Sequence, residues 1–226
     1  MMSDRFPERL DPAQTTRLEI QRVSPEWVAQ ARLLPTATLH EAAGKTGALP
    51  WAIKPVAPSF RVCGPAVTVH SPGGDNLWLH RAIEAARPGD VLVVHTQGVY
   101  AHGYWGEIMS TAAKARELAG LVIDACVRDG ELLPKIGFPV FARGLCIRGT
   151  AKDFGARGWI NAPTLFDDVV VHPGDLIAGD GDGVVCLARD QAAAVIQTAR
   201  ERESLEAAVL ERLDRGENTL DIYSWR

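Results

Sequence analysis

The amino-acid sequence predicts an α/β domain with a partly parallel sheet. Short apolar runs rich in β-branched residues alternate with helix-like segments through the middle of the chain, a pattern typical of parallel strands joined by crossover helices. Beyond residue 165, short apolar strands are separated by glycine-rich turns, which indicates antiparallel pairing. We expect one domain over residues 1–226, because no change in composition marks a linker.

The first third of the chain contains start and stop signals for helices and one longer apolar stretch. Residues 1–22 are polar and aperiodic and predict an N-terminal arm. Ser-Pro-Glu at 24–26 is a helix start, and a second short helix at 35–44 ends in glycine. Residues 60–69 predict two strands separated by Gly-Pro. An aspartate is expected to cap a helix over 75–86.

The middle of the chain predicts two β-α-β units. A buried strand at 90–94 is followed by an alanine-rich helix at 105–118 and a second strand at 121–123. A shorter unit follows, with a helix at 130–136 and a strand at 138–142. Successive strands of such units run parallel, so we expect the carboxyl ends of these strands to share one edge of the sheet.

The last third predicts an antiparallel section and a long helix. Strands are expected at 168–171, 176–178 and 184–187, joined by turns in which glycine and aspartate supply positive φ angles. Residues 190–215 are charged, rich in alanine and helix-like. We therefore expect a C-terminal helix and tail over 190–226.

Composition and charge exclude several classes of function. The 24 basic and 28 acidic side chains give a net charge of −4, which argues against binding nucleic acid by general electrostatics. The apolar runs fall far short of the ~20 residues that span a bilayer. The charged N-terminus lacks the apolar core of a secretory signal, so we expect a cytoplasmic protein with no membrane partner.

The start of the predicted helix at 105–118 is the first candidate binding site. Gly103 and Gly106 precede Glu107, and glycine lets a ligand approach the backbone closely. Free N–H groups in the first helical turn, such as those of Ile108 and Met109, favour anions. An alternative is that Glu107 only stabilises the helix dipole, by ~0.3–1 kcal/mol.

Arg128 and Asp129 form the second candidate, shortly after the predicted strand 121–123. A guanidinium binds a carboxylate through two parallel hydrogen bonds, and an aspartate is a suitable ligand for Mg²⁺. An Arg-Asp pair in a loop is also often merely solvated. The two candidates support each other, however, because the crossover should return Arg128 and Asp129 to the helix start that contains Glu107.

Glu107 is separated by twenty residues from Arg128-Asp129, which gives the pattern acid–x20–Arg-Asp. In this pattern the chain resembles the RraA-like proteins, which include class II aldolases that act on 4-hydroxy-4-methyl-2-oxoglutarate and 4-carboxy-4-hydroxy-2-oxoadipate. The similarity covers most of the chain. Further matching segments are Ala37-Thr38-Leu39-His40-Glu41-Ala42, Tyr104–Glu107, Gly120–Asp124, Gly137–Arg143 and Pro173–Val184.

The resemblance implies an architecture and a reaction. The fold would be a three-layer β/β/α, swivelling-domain-like single domain with mixed sheets and a C-terminal helical extension. It would assemble as a homotrimer or a dimer of trimers with sites between subunits. The reaction would cleave a small 2-oxo acid substrate to pyruvate and a keto acid, with oxaloacetate decarboxylation as a side activity. A divalent metal would stabilise the pyruvate enolate as a Lewis acid.

The resemblance also implies roles for individual residues. Asp129 would hold Mg²⁺ or Mn²⁺, mostly through water, and Arg128 would bind the pyruvyl group. Glu107 would help to position or activate a water that accepts the substrate hydroxyl proton; some aldolases carry aspartate at this position. The pyruvyl carboxylate would be received by the backbone amides at the helix start, namely those of Gly106, Glu107, Ile108 and Met109.

Other site residues are expected to come from elsewhere. By resemblance, His40 and Glu41 would be further catalytic residues that approach the site from an edge or from a neighbouring subunit. A C-terminal acid would enter the adjacent subunit's site, and we favour Glu203 over Glu201 and Glu206 for this role. Four further cations could bind additional substrate carboxylates or simply be solvated: Arg143, Arg148, Lys152 and Arg157. The alternative function is that of an RraA-type regulator, which binds a ribonuclease without catalysis. The long C-terminal helix favours the aldolase.

Overall fold

The computed structural model describes residues 15–226, so residues 1–14 of the predicted N-terminal arm lie outside the described part. Residues 15–22, the described part of this segment, lie against the body of the protein. The Arg17 N–H donates to the Ile160 carbonyl at 3.2 Å. The Arg22 guanidinium makes two hydrogen bonds, of 2.7 and 2.8 Å, to the buried carboxylate of Asp90. These contacts fix the segment against the body of the protein.

Residues 15–226 form seven helices and twelve strands. The helices are α1 (Pro25–Ala31), α2 (Thr36–Ala42), α3 (Leu77–Ala85), α4 (Glu107–Ala115), α5 (Leu133–Ile136), α6 (Ala192–Asp214) and α7 (Thr219–Ile222). The strands are β1 (Lys54–Pro55), β2 (Val62–His70), β3 (Val91–His95), β4 (Gly120–Ile123), β5 (Cys126–Val127), β6 (Val140–Ala142), β7 (Gly144–Leu145), β8 (Trp159–Ile160), β9 (Thr164–Phe166), β10 (Val169–Val171), β11 (Leu176–Gly179) and β12 (Val184–Leu187).

Eight of these strands form one mixed sheet. Its order is β1-β6-β4-β3-β2-β11-β12, and β8 pairs with part of β2. The four central strands β2, β3, β4 and β6 run parallel, whereas β11 and β12 join antiparallel at one edge. Two small ribbons, β9–β10 and β5–β7, complete the structure. The predicted mixed α/β fold with a long C-terminal helix is confirmed.

The prediction of two strands separated at Gly64-Pro65 is wrong, because β2 is one continuous strand. Gly64 and Pro65 stay in register with Ile177 and Leu176 of β11. The Ala66 N–H donates towards β11, to the Asp175 carbonyl at 2.8 Å, so the missing N–H of Pro65 falls on the β3 side. Pairing with β3 begins only at Ala66, and the proline therefore removes no ladder hydrogen bond.

Helix α4 begins at Glu107 rather than at the predicted Trp105. Gly106 has an extended backbone with φ −162° and ψ −156°, so it precedes the helix. Trp105 is buried outside the helix, and its indole N–H donates to Ser110 Oγ at 2.7 Å. The later start is important for the site, because it places Glu107 in the first position of the helix. Helix α5 is likewise shorter than predicted and begins at Leu133.

The core consists of two clusters of buried apolar side chains. The larger packs α3 and α4 against the central parallel strands, with Trp78, Leu92 and Ile123 among its fully buried members. The smaller covers β11 and β12 with α1, α2 and α6, around Leu39 and Ile196. The larger cluster also contains Met109 of α4, so it fixes α4 relative to β4 and determines where the loop after β4 meets the helix start. No helix within residues 15–226 has the length and apolarity needed to cross a bilayer.

Candidate active site

Two loop segments meet at the carboxyl end of β4. The chain passes from β4 through β5 directly into Arg128 and Asp129, and the loop from Gly103 to Gly106 runs beside it. The Arg128 N–H donates to the Trp105 carbonyl at 2.8 Å, and the Tyr104 N–H donates to the Cys126 carbonyl at 3.2 Å. These backbone hydrogen bonds bring Glu107, Arg128 and Asp129 together, at the edge of the sheet where open α/β folds place their sites.

Asp129 joins the two segments through its side chain. Its Oδ2 accepts the Glu107 N–H at 2.9 Å, so the carboxylate caps the positive end of α4. The same oxygen lies 3.8 Å from Arg128 Nε. Asp129 has a φ of +62°, in the left-handed region that few non-glycine residues occupy. Such backbone strain is concentrated at functional sites, where the surrounding structure maintains it.

Two glycines allow this close approach. A Cβ at Gly106 would lie 2.2 Å from Asp129 Oδ2 and 3.1 Å from Arg128 Cγ. A Cβ at Gly103 would lie 2.5 Å from the Cys146 carbonyl oxygen and 3.0 Å from Arg128 Cβ. Because neither glycine has a positive φ, the requirement is for space and not for backbone freedom.

These residues line a cleft of about 320 Å³. Arg128 and Asp129 are partly exposed in it, with 48% and 34% of their side chains accessible. Ile108 is exposed on the first turn of α4, whereas Met109 is buried and accepts a weak contact from Asn76 Nδ2 at 3.5 Å. The Ile108 and Met109 N–H groups have no backbone or side-chain acceptor among residues 15–226. They are therefore available to a ligand in the cleft.

The carboxylates in the cleft fit a hydrated divalent cation. Within residues 15–226, Asp129 Oδ1 and the exposed Glu107 carboxylate accept no hydrogen bond, so both can coordinate an ion. The same part of the chain holds no cluster of three or more His, Cys, Asp or Glu side chains able to enclose a metal. One or two carboxylates completed by water and substrate oxygens is the arrangement that Mg²⁺ prefers.

His40, Glu41 and Glu203 lie in another part of the same chain, where α2 packs against α6. The Thr38 hydroxyl donates to Glu203 Oε1 at 2.6 Å, and Glu41 lies 3.7 Å from Arg202. His40 lines a separate groove of α2. None of the three lines the cleft that contains Arg128. Their contribution to a neighbouring subunit stays a prediction.

Of the four basic residues that could bind further carboxylates, only one lines the cleft. Lys152 lines the cleft, whereas Arg143 does not; its guanidinium pairs with Asp124 at 2.5 Å and lies over the Tyr100 ring. Arg148 and Arg157 are also absent from the cleft lining.

Sequence reasoning missed two further residues that line the cleft, Asn76 and His80. Asn76 directly precedes α3, and His80 lies within it. Their spacing of four places them on one helical face, the only signal that pointed to them.

A pair of histidines occupies the carboxyl ends of the two neighbouring strands β2 and β3. His70 and His95 are register partners, with ring centroids 5.5 Å apart. Trp159 packs edge-on against His70, and Phe166 packs edge-on against His95. Burial lowers the pKa of both imidazoles; His95 lowers that of His70 further, while the Asp124 charge opposes the shift at His95.

This pair should make the protein less stable in mild acid. The folded-state pKa values lie below the unfolded value of ~6.5, so the stabilisation is complete above pH 6.5 and is lost as the pH falls through the folded values. We expect the double variant His70→Gln/His95→Gln to lose less unfolding free energy than the parent between pH 7.5 and 5.5 in urea titrations. The exposed His172→Gln serves as the control. Equal losses in parent and double variant would contradict this expectation.

Comparison with known proteins identifies a family over most of the chain. Residues 36–186 match the family model described as "RraA-like: Aldolase/RraA". A protein of Halalkalibacterium halodurans named "Putative 4-hydroxy-4-methyl-2-oxoglutarate aldolase" is 34% identical over 183 residues, which are 81% of this chain and 86% of that protein.

Two solved structures share the fold. An uncharacterized protein from Pseudomonas syringae superposes with a TM-score of 0.80 and 28% identity, over 92% of this chain and 97% of that one. The RNA-processing inhibitor RraA from Thermus thermophilis superposes with a TM-score of 0.61 and 26% identity, over 68% of this chain and 92% of that one. On this combination of sequence match and shared fold, the chain belongs to the RraA-like family.

Proposed function

We propose that the protein is a divalent-metal-dependent aldolase that releases pyruvate from a 4-hydroxy-2-oxo acid. 4-Hydroxy-4-methyl-2-oxoglutarate and 4-carboxy-4-hydroxy-2-oxoadipate are the candidate substrates, and oxaloacetate decarboxylation is the proposed side activity. The observation that carries the proposal is the meeting of Glu107, Arg128 and Asp129 at the start of α4. The aldolase name of the H. halodurans relative supports it.

Arg128 and the start of α4 are suited to bind the pyruvyl end of the substrate. The Arg128 guanidinium is half-exposed in the cleft, and its contact with Asp129 at 3.8 Å leaves its hydrogen-bond donors available. The N–H groups of Ile108 and Met109 provide two further donors for a carboxylate. A planar 2-oxo carboxylate held by these groups would present its C3–C4 bond within the cleft.

Asp129 would hold the divalent cation, mostly through water, and the Glu107 carboxylate would remain free beside it. When bound, the cation supplies Lewis-acid stabilisation of negative charge on the pyruvyl oxygens. Asp129 is already oriented by the Glu107 N–H, so its free Oδ1 has a fixed position. The Asp129 carboxylate would thus cap the helix through Oδ2 and bind the ion through Oδ1.

Glu107 would transfer the proton of the substrate's C4 hydroxyl. Cleavage of the C3–C4 bond requires loss of the proton from the C4 hydroxyl, and it leaves the electron pair on the pyruvyl fragment as an enolate. The exposed Glu107 carboxylate can accept this proton through a water and return a proton to C3, which completes pyruvate. Arg128 would stabilise the enolate charge that develops between these two steps.

We further propose that the site is completed in a homo-oligomer, a trimer or a dimer of trimers. Large apolar side chains surround Arg128 and Asp129 on the surface: Leu145 is 61% exposed, Ile147 97% and Ile108 76%. Leu145 and Ile147 line a groove that Arg128 shares. Burying these side chains against another copy would remove apolar area from water and could bring in His40, Glu41 and Glu203. A monomer in multi-angle light scattering would contradict this.

Removing the metal should abolish pyruvate release. We expect pyruvate, detected with lactate dehydrogenase and NADH, to form from 4-carboxy-4-hydroxy-2-oxoadipate, 4-hydroxy-4-methyl-2-oxoglutarate and oxaloacetate in the presence of Mg²⁺ or Mn²⁺. Excess EDTA should stop the reaction, and added metal should restore it, because the carboxylates of the cleft do not replace a Lewis acid. Each rate is taken above a blank without protein, because oxaloacetate decarboxylates slowly by itself and faster with free metal ions. Protein-dependent pyruvate formation that continues in EDTA, or none from any of these acids, would refute the proposal.

A second candidate function is that of an RraA-type regulator that binds a ribonuclease without catalysis. The shared fold with the T. thermophilis inhibitor favours it. That match leaves about a third of this chain uncovered, whereas the H. halodurans relative matches a larger share of it. Inhibition of a ribonuclease by a protein that forms no pyruvate from any of the three acids would establish the regulator instead.

A further inference from the structure

A second cavity lies at the amino ends of the parallel strands, away from the cleft that contains Arg128. It has a volume of about 480 Å³ and is bordered by Pro65, near the start of β2, and by Gly89 and Asp90, which directly precede β3. Helix α1 and the residues on either side of it form the other wall. The candidate active site lies at the carboxyl end of β4, which runs parallel to β3. The two sites therefore occupy opposite edges of the sheet, and they share no lining residue.

Three guanidinium groups and one carboxylate line this cavity. The carboxylate, Asp90, is buried and accepts two hydrogen bonds from the Arg22 guanidinium, of 2.7 and 2.8 Å, and one from the Arg87 N–H at 2.8 Å. The Arg87 guanidinium pairs with Glu19 at 2.7 Å, and both side chains of that pair are more than half exposed. Asp90 therefore balances the charge of Arg22 and of no other cation in the cavity.

Arg32, the third of these guanidinium groups, has no carboxylate partner. It directly follows α1, and its side chain is exposed. Its Nη2 donates to the Cys63 carbonyl at 3.2 Å, and no acidic side chain among residues 15–226 lies within ion-pair distance of it. A single hydrogen bond to the backbone of β2 holds the guanidinium in place and leaves most of its N–H donors free. Such a group is suited to bind a carboxylate through two parallel hydrogen bonds.

The rest of the lining is mainly apolar. Val23, Pro25 and Val28 lie on the side of α1, and Pro65 and Pro88 lie on the side of the sheet. Small molecules bind in cavities of ~300–1,000 Å³, a range that includes this one. A small carboxylate alone would leave the apolar walls in contact with water, and a neutral ring would leave the guanidinium without an anion. The lining therefore matches a flat apolar ring that carries one carboxylate.

We propose that this cavity is a second ligand site, which binds an aromatic carboxylate with its carboxylate on Arg32 and its ring between α1 and the prolines at 65 and 88. The inference goes beyond the proposed reaction and does not depend on it. Because the site lies at the opposite edge of the sheet from Arg128 and Asp129, its occupancy requires neither of them and needs no metal ion.

Two ligands of equal shape test the requirement for charge. 2-Naphthoate carries a carboxylate on a flat bicyclic ring, and 2-naphthamide has an uncharged amide in its place. Both are titrated by calorimetry in EDTA, which keeps metal ions out of the active-site cleft. We expect the parent protein to bind 2-naphthoate at least about 10-fold more tightly than 2-naphthamide. Arg32→Met should weaken 2-naphthoate binding by about 10- to 100-fold, the value of one charge-assisted hydrogen bond, and should change 2-naphthamide binding less than about threefold.

Three further variants locate the ligand. Ala29→Phe adds bulk to the cavity from the exposed face of α1 and keeps Arg32, so it should weaken 2-naphthoate binding at least about 10-fold. Arg128→Ala removes the guanidinium of the active-site cleft and should leave binding within about twofold of the parent. Arg157→Met is the control, because it removes an exposed arginine that lines neither site. The midpoint of thermal unfolding checks that each variant is folded.

Equal binding of the two ligands, or 2-naphthoate binding that is unchanged in Arg32→Met, would overturn the inference. Arg32 also lines an adjoining cavity of about 280 Å³, which Ala29 does not border. Binding that is lost in Arg32→Met but unchanged in Ala29→Phe would assign the ligand to that cavity, and binding that is lost in Arg128→Ala would assign it to the active-site cleft; either result would also overturn the inference. Pyruvate release is measured separately with the metal present, so its failure would leave this inference standing.

Discussion

Replacing Arg128 by alanine should lower kcat/KM for pyruvate release by about 1,000-fold or more, while the protein stays folded. The guanidinium provides both the bidentate grip on the pyruvyl group and the positive charge that stabilises the developing enolate, and loss of a single such donor costs ~10²–10³-fold. The side chain is half-exposed and makes one long contact, so its removal should change the midpoint of thermal unfolding little. The measurement is steady-state pyruvate formation in saturating Mg²⁺.

Two further variants distinguish the contributions of Arg128. Arg128→Lys keeps the charge but loses the planar fork, and we expect an intermediate loss of about 10- to 100-fold. Arg116→Ala removes an exposed arginine at the far end of α4, whose Nη2 donates to the Glu84 carbonyl at 2.9 Å; its kinetics should match those of the parent. Kinetics for Arg128→Ala within threefold of the parent would remove Arg128 from the site.

Much of this site could be predicted from sequence because its parts follow local rules. Parallel strands place their carboxyl ends at one edge, so a helix start at Glu107 and a loop at Arg128 on either side of one crossover had to approach each other. The glycine-aspartate turn between β11 and β12 and the buried strand β3 also follow from local patterns, and the structure contains both. These features depend on chain direction and turn chemistry, and side-chain packing has little effect on them.

The features that could not be predicted depend on contacts between distant residues. The approach of Lys152 to Arg128 requires Asp75 to tie two segments that are 78 residues apart, and no local pattern encodes this. The hydrogen bond from the Glu107 N–H to Asp129 was also unforeseen, since a free helix start and an independent metal ligand were expected there. The continuity of β2 through Pro65 depends on which neighbour its missing N–H would face, and only the sheet order reveals this.

Replacing Gly106 by alanine should lower activity almost as much as Arg128→Ala does. The backbone of Gly106 is extended, so alanine meets no conformational strain there and its effect is steric. Its Cβ would lie 2.2 Å from Asp129 Oδ2 and 3.1 Å from Arg128 Cγ, which forces the carboxylate away from the Glu107 N–H. We expect kcat/KM for Gly106→Ala to fall by about 100-fold or more, because displacing reacting groups by ~1 Å costs this much.

Two measurements separate this effect from general destabilisation. Calorimetric titration with Mn²⁺ should show weaker metal binding by Gly106→Ala, because Asp129 loses the hydrogen bond that orients it, and loss of such orienting partners costs ~10–100-fold in affinity. Gly149→Ala is the matched control: a Cβ there would meet nothing within 4 Å, and its kinetics should stay within about threefold of the parent. Since Gly106 and Gly149 border the same cleft, a difference between them reports on the contact with Asp129 and not on cleft volume. Parent-like metal binding and turnover by Gly106→Ala would show that the position of Asp129 against the helix does not determine activity.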